Sequence, residues 1–137
     1  MSSNRSTFDT AIAAWNAGDL DGYLRLYDPS VQLHGYSEAP LGLDDVRGFY
    51  QGVWAAIAAP QIHVHQVSET ADGWLWCRAV MTGTHAGDFF GIPATGNPIA
   101  QPVMTSLRFV DARCVERHSV ADLLPVLMQI GAVAPPA

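Results

Sequence analysis

The residues best suited to proton chemistry lie towards the C-terminal end of the chain. At the period of two that a strand imposes, Glu116, His118 and Asp122 fall on one face of residues 113–122, and Val115 and Arg117 on the other. Met104, Ser106 and Arg108 form a similar set on the preceding segment. Aligned across a hairpin, the two sets are expected to make one polar floor inside an apolar shell. A carboxylate there would be desolvated and its pKa raised, as removal of a proton from carbon requires. The spacing also fits a second role for Asp122, capping a helix that begins at Leu123-Leu124-Pro125. Arg108 equally fits a surface ion pair with Glu116.

His63, His65 and Glu69 offer a different chemistry. Two histidines on one strand face with a carboxylate beyond have the form of a cupin metal motif, to which His85 or His118 would add a later ligand. Position 57, where that motif places a glycine, holds Ile57, and the helical first third does not suit a double-stranded β barrel. The expectation is therefore no metal and ordinary hydrogen bonds for His63 and His65. No phosphate-cradling glycine loop, G-x-S-x-G elbow or cysteine-base pattern is present.

The elements that must position these groups follow from periodicity and punctuation. Phe8, Ile12 and Trp15 recur at helical spacing through residues 5–17, and Gly18 ends the run. Asp19 is suited to cap a short second helix carrying Leu20, Tyr23, Leu24 and Tyr27, which Asp28-Pro29 stops. Residues 31–35 read as a strand. A third helix opens at Asp44 or Asp45 and carries Val46, Phe49, Tyr50, Val53, Trp54 and Ile57. Residues 61–69 and 74–84 read as a hairpin around Thr70-Ala71-Asp72-Gly73, and residues 98–110 and 113–122 as another around Asp111-Ala112. Between them, residues 88–98 hold too much Gly and Pro for a regular element. A short helix with Pro125 in its first turn ends at Gly131. Helices first and consecutive hairpins later predict a single α+β domain over residues 1–137, three helices closing one face of a curved antiparallel sheet.

Composition narrows the partners. Hydrophobic residues make up 49% and charged residues 15%, which excludes a disordered chain. With seven basic side chains and a net charge of −6, no basic face for nucleic acid can be assembled. No apolar run is long enough for a membrane span and no export signal opens the chain, so a cytoplasmic location with Cys77 and Cys114 as buried thiols is expected. Low surface charge together with Trp74 and Trp76 on one strand face predicts a homodimer through the exposed side of the sheet.

Two segments carry a family resemblance. Gly87-Asp88-Phe89-Phe90-Gly91-Ile92-Pro93-Ala94-Thr95-Gly96-Asn97-Pro98, and Leu107-Arg108-Phe109-Val110-Asp111 running on to Glu116, Asp122 and Met128-Gln129-Ile130-Gly131, resemble the ester-cyclase branch of the SnoaL-like polyketide cyclases. Trp15-Asn16-Ala17-Gly18-Asp19 and Tyr27-Asp28-Pro29 are similar to the first helices of the same nuclear-transport-factor-2-like superfamily. The resemblance implies a cone enclosing a pocket for a small apolar molecule, and an aldol-type ring closure that uses neither metal nor organic cofactor. It places the catalytic Asp at Asp122. Two positions depart from the pattern: His118 stands where the family has Trp, and Arg108 where the best-known cyclases have an assisting His. The resulting expectation is a catalytic set of Asp122, His118 and Arg108. Substrate contacts are expected from Trp15, His34, Tyr50, His85, Phe90, Met104 and Ser106. Epoxide opening in the same pocket and a non-catalytic binding module are the alternatives.

Overall fold

The computed structural model describes residues 2–136. Helix α1 spans Ser3–Asn16, and its first turn is capped by the Ser2 hydroxyl, which accepts from the Arg5 N–H. Its buried face is Phe8, Ala11 and Trp15, one residue from each of three turns. Asp19 caps α2 (Leu20–Leu24) by accepting from the Gly22 N–H. The remaining elements are β1 (Tyr27–His34), α3 (Leu43–Ala56), β2 (Ile57–Glu69), β3 (Trp74–His85), β4 (Pro98–Val110), β5 (Arg113–Ala121) and α4 (Leu123–Gln129).

The five strands form one curved, unclosed sheet in the order β1-β5-β4-β3-β2. Strands β2 to β5 run as the antiparallel meander that the two hairpins predict. β1 adds to β5 in parallel, joined through the helix and hairpins between them. Helices α1 and α3 cover the face that carries Val31, Leu33, Leu75, Cys77, Ala79, Leu107 and Phe109, and this contact is the main core. A second cluster under α4 contains Ala56, Ile57, Ile99, Val126 and Ile130. Cys77 and Cys114 are buried free thiols.

Three boundaries differ from the sequence reading. β1 begins at Tyr27, ahead of Pro29, because the strand is at the sheet edge and its register slips between Tyr27 and Gln32. An edge strand at a bulge can accept a residue that has no N–H to donate. Helix α3 starts at Leu43 with Gly42 as its N-cap, so Asp44 and Asp45 sit in the first turn, where their charge favours the helix dipole. β2 starts at Ile57, directly from α3, and the irregularity at Ala59-Pro60 interrupts its pairing without ending it.

The join between helical layer and sheet is specific at one residue. The Asn16 side chain donates to the Ile62 carbonyl (3.0 Å) and accepts from the Ile62 N–H (2.7 Å), as an extra strand residue would. The Gln61 amide donates back to the Asn16 carbonyl. Asn16→Ala leaves both Ile62 groups without these partners, and a loss of about 1–3 kcal/mol is expected. The midpoint of urea unfolding measures it; an unchanged midpoint would show that water replaces the amide at no cost.

Candidate functional site

The cross-strand alignment read from the sequence is present, but on the other side of the sheet. Ser106 pairs with His118 and Arg108 with Glu116, so the two polar sets lie side by side. They occupy the face turned away from α1 and α3, not a floor inside the helical shell. A period of two separates the faces of a strand without saying which one the helices cover. Met104, Ser106, His118 and Asp122 line an open groove of about 970 Å³ on this outer face, together with Trp74, Trp76, Arg78 and Val120. Met104 is 60% exposed and Trp76 53%, whereas Ser106 is buried beneath them. Asp122 is exposed at the N-cap position of α4, but its carboxylate makes no capping hydrogen bond.

Beside this groove His34 stacks on His118 with ring centroids 4.4 Å apart and planes within 7°. His118 Nε2 lies 2.8 Å from a Glu116 oxygen, and Arg108 Nε donates to the other carboxylate oxygen at 3.2 Å. The hydrogen bond from His118, then that from Arg108, holds the Glu116 carboxyl below the usual carboxylate range. Arg108 thus forms the ion pair that spacing allowed. Ligand-type atoms of His34, Glu116 and His118 all lie within 4.8 Å of one another. Parallel stacked rings, however, point their in-plane lone pairs along separate planes and not at a common centre. His63, His65 and Glu69 form no such group among the described residues; His63 Nε2 is hydrogen-bonded to the Thr82 hydroxyl at 2.9 Å.

His85 is fully buried at the end of β3, not at a pocket mouth. Its Nδ1 accepts from the Thr95 N–H (3.3 Å) and lies 2.9 Å from the Thr95 hydroxyl, so it ties down the glycine-proline loop. Phe90, in that loop, is 69% exposed with φ +52° and packs edge-on against Phe89. Neither belongs to a common site with the outer groove.

The helix-covered face holds the arrangement that sequence reasoning missed. Arg117, alternating with Glu116 and His118, points inward and is buried. Its Nε donates to Thr105 Oγ1 (2.9 Å) and Ser119 Oγ (3.1 Å), and its Nη1 donates to the hydroxyls of Tyr23 and Tyr27 (2.7 Å each). The Tyr27 and Tyr50 hydroxyls are 2.6 Å apart, and those of Tyr50 and Tyr36 3.1 Å. Ser119 Oγ donates to the Tyr36 hydroxyl at 3.4 Å. All four tyrosines of the chain thus join one network, drawn from α2, β1, the loop after it and α3. Gly35 makes this possible: at φ +92° a Cβ there would lie 2.0 Å from the Ser119 carbonyl oxygen, so only glycine lets the chain turn Tyr36 inward beside β5. Trp15 packs edge-on against Tyr23 (5.0 Å) and Tyr50 (5.3 Å). Of the expected substrate contacts, Trp15 and Tyr50 therefore belong to this interior cluster. The tyrosine count was the signal available in the sequence.

Burial pushes the Tyr27 and Tyr50 phenols well above their usual range, and the Cys114 thiol beside them up to about 11.

Comparison with known proteins agrees with this architecture. A family model described as SnoaL-like polyketide cyclase matches residues 6–130. No curated protein sequence matches the chain. Among solved structures, AclR from Streptomyces galilaeus, described as a candidate hydroxylase, superposes with a TM-score of 0.88 at 27% identity, over 98% of this chain and 84% of its own. IdmH from Streptomyces antibioticus, a candidate polyketide cyclase, gives 0.81 at 28% identity, over 93% of this chain and 98% of its own. A candidate SnoaL-like polyketide cyclase from Jannaschia sp. CCS1, at 24% identity and a TM-score of 0.83 over 98% of this chain and 94% of its own, shares the fold.

The raised thiol and phenols fix the alkaline limit of stability. Groups with a higher pKa folded than unfolded stabilise the fold fully below the unfolded value and lose that contribution as pH rises through the folded one. Stability is expected to hold up to about pH 8 and then fall, as the unfolded chain ionises Cys114, and later Tyr27 and Tyr50, ahead of the folded chain. Urea midpoints between pH 7 and 11 measure this, and Cys114→Ala should make the decline shallower. A midpoint independent of pH over that range would contradict the burial of these groups.

Proposed function

The chain belongs to the SnoaL-like polyketide cyclase family, and we propose on that basis that it is a cofactor-independent enzyme closing a ring by aldol-type condensation on a polyketide-like or other apolar carbonyl substrate. The observation that carries this reading is the interior hydroxyl chain that runs from Arg117 to Tyr36. Arg117 can only donate, so Tyr27 accepts from it, and in the order we propose Tyr27 donates its own proton to Tyr50. Tyr50 in turn donates to Tyr36, which also accepts from Ser119. The Tyr36 proton is then left uncommitted at the half-buried end of the chain. A hydrogen-bond donor polarised by a buried cation suits an oxygen on which negative charge develops, first as the enolate and then as the alkoxide of the closed ring.

The proton on carbon needs an acceptor, and the residue proposed is Asp122. It is the Asp of the family motif, it follows the last residue of β5 on the groove side of the sheet, and its carboxylate has no hydrogen bond among the described residues, so the reading requires a substrate that reaches from Tyr36 round the end of β5 to Asp122. The outer face beyond Asp122 has a second use. Its apolar groove, with Trp76, Met104 and Val120 exposed, is the surface on which we place a second copy of the chain. No helix of the described residues is long and apolar enough to cross a membrane.

Two experiments test these assignments. Exchange of the α protons of 2-tetralone with D2O, followed by NMR, should be accelerated by the protein. It should slow by roughly 10²–10⁴-fold in Asp122→Asn and about 10²-fold in Tyr36→Phe. A wild-type rate in Asp122→Asn would remove that residue from the chemistry, and no acceleration by the unmodified protein would sink the reading. In sedimentation velocity the protein should run as a dimer and Trp76→Glu as a folded monomer; a monomeric unmodified protein at high concentration overturns the docking face.

A further inference from the structure

His34 and His118 face each other across the parallel ladder of β1 and β5, at its last register pair. Glu116 precedes His118 by two residues, on the same face of β5, and stands beside Gln32. Neighbouring strands lie about 4.8 Å apart, so three side chains that can ligate a metal rise from one small patch of backbone. Register is a property of the main chain, and the grouping therefore does not depend on a particular rotamer. Ligand-type atoms of the three residues already lie within 4.8 Å of one another. The groove that receives a second copy is lined by His118 but not by His34 or Glu116, which puts the group at its edge.

Two of the three ligands are nearly in place. His118 Nε2 and a Glu116 oxygen are 2.8 Å apart. Two donor atoms that each sit about 2.0–2.2 Å from one ion are about 3 Å from each other, so an ion can replace the shared hydrogen with little movement. His118 then carries its proton on Nδ1 and binds through Nε2. Arg108 Nε holds the other carboxylate oxygen at 3.2 Å and so fixes the direction in which Glu116 presents the first, as an outer partner of a ligating carboxylate does. The ring that has to move is His34, whose lone pairs run parallel to those of His118 in the stack. Its side chain makes no hydrogen bond among the described residues, so turning it about Cβ–Cγ gives up stacking alone. The His118 side chain is 48% exposed, which leaves a path for an ion. Two imidazoles and one carboxylate suit zinc, nickel or copper(II); magnesium and calcium prefer oxygen ligands alone.

We infer that His34, His118 and Glu116 bind one divalent transition-metal ion of this class, which clamps the end of edge strand β1 to β5. The pairing of β1 slips between Tyr27 and Gln32, so its far end is held by the pairs at Gln32, Leu33 and His34 alone. An ion bonded to both strands fastens that end, immediately before the turn at Gly35 that carries Tyr36 inward. Asp122, Tyr36 and Arg117 are outside the group, so the ion acts on the fold and the ring closure is still read as metal-free. The sequence motif drew attention to His63 and His65 because they are neighbours in the chain; His34 and His118 are neighbours only in the sheet.

The test is zinc binding by the full chain after chelator treatment, measured by competition with a chromophoric chelator. NMR of the histidine imidazoles identifies the ligands. One zinc ion per chain should bind and move the signals of His34 and His118, with those of His63, His65 and His85 unmoved. Magnesium should bind at least about tenfold more weakly. His34→Ala and Glu116→Gln should each weaken zinc binding by about tenfold or more, and His63→Ala and His65→Ala should leave it unchanged. With zinc about a hundredfold above its Kd, the Tm should rise by about 5 °C, and the rise should be lost in His34→Ala. Signals that move at His63 and His65 instead, one ion per two chains, equal binding of magnesium, or no zinc binding overturns the inference. Zinc bound at His34 and His118 without a rise in Tm overturns the clamp. The NMR and Tm measurements on the unmodified protein decide these points even if a variant does not fold.

Discussion

Burying one guanidinium against neutral hydroxyls is the constraint around which the rest of the molecule is arranged. Arg117 has to be surrounded by acceptors once it is removed from water, and no single element of this fold can supply them. Tyr23 comes from α2, Tyr27 from β1, Thr105 from β4 and Ser119 from β5 itself. Tyr50 from α3 and Tyr36 from the loop after β1 complete the network. The short second helix, the parallel edge strand and the turn at Gly35 therefore serve one purpose. Each brings a hydroxyl to a charge that would otherwise be unsatisfied. Such a network is worth more complete than in parts, because every missing member leaves a buried donor behind.

Much of the fold could be read from the sequence, because it is written in local signals. Phe8, Ile12 and Trp15 mark a helix face, Asp19 caps where a side-chain acceptor is needed, and the Asp-Gly and Asp-Ala turns set the two hairpins. The β4–β5 register follows its turn only as far as Phe109 and Cys114; a bulge beyond them shifts the pairing by one residue, to Arg108 with Glu116. What the sequence does not contain locally is which side of the sheet the helices take. Along β5 both faces hold polar residues, Glu116 and His118 on one and Arg117 and Ser119 on the other, so hydropathy does not choose between them. The choice depends on partners distant in the chain: Tyr23 is 94 residues from Arg117. Read in isolation, Tyr23, Tyr27 and Tyr50 belong to amphipathic stripes, and their hydroxyls acquire meaning only when the arginine arrives.

The same alternation divides the labour of β5. Glu116 and His118 face the outer groove, where they engage Arg108 and His34 at partly exposed positions, and such contacts contribute little to stability. Arg117 and Ser119 face the interior, where each hydrogen bond is made in a drier setting and matters more. A second copy on the outer face would thus lie one residue in sequence from the interior network. The backbone between them is shared, however. The Thr105 hydroxyl that accepts from Arg117 donates to the His118 carbonyl, so the interior network is bonded to the main chain of the outer-face residue.

That connection bears on how a charged site can exist in so apolar a domain. Arg117 is held by two of its three nitrogens, one bonded to strand hydroxyls and the other to phenols from α2 and β1. The group is fixed before any ligand arrives, and little reorganisation remains to be done when an oxygen gains negative charge beside it. A flexible lysine at the same position would have to be immobilised at that moment, and a histidine would be free to discard its proton on burial. An arginine can do neither. Its charge persists in the dry interior, and its plane is set by the hydroxyls around it.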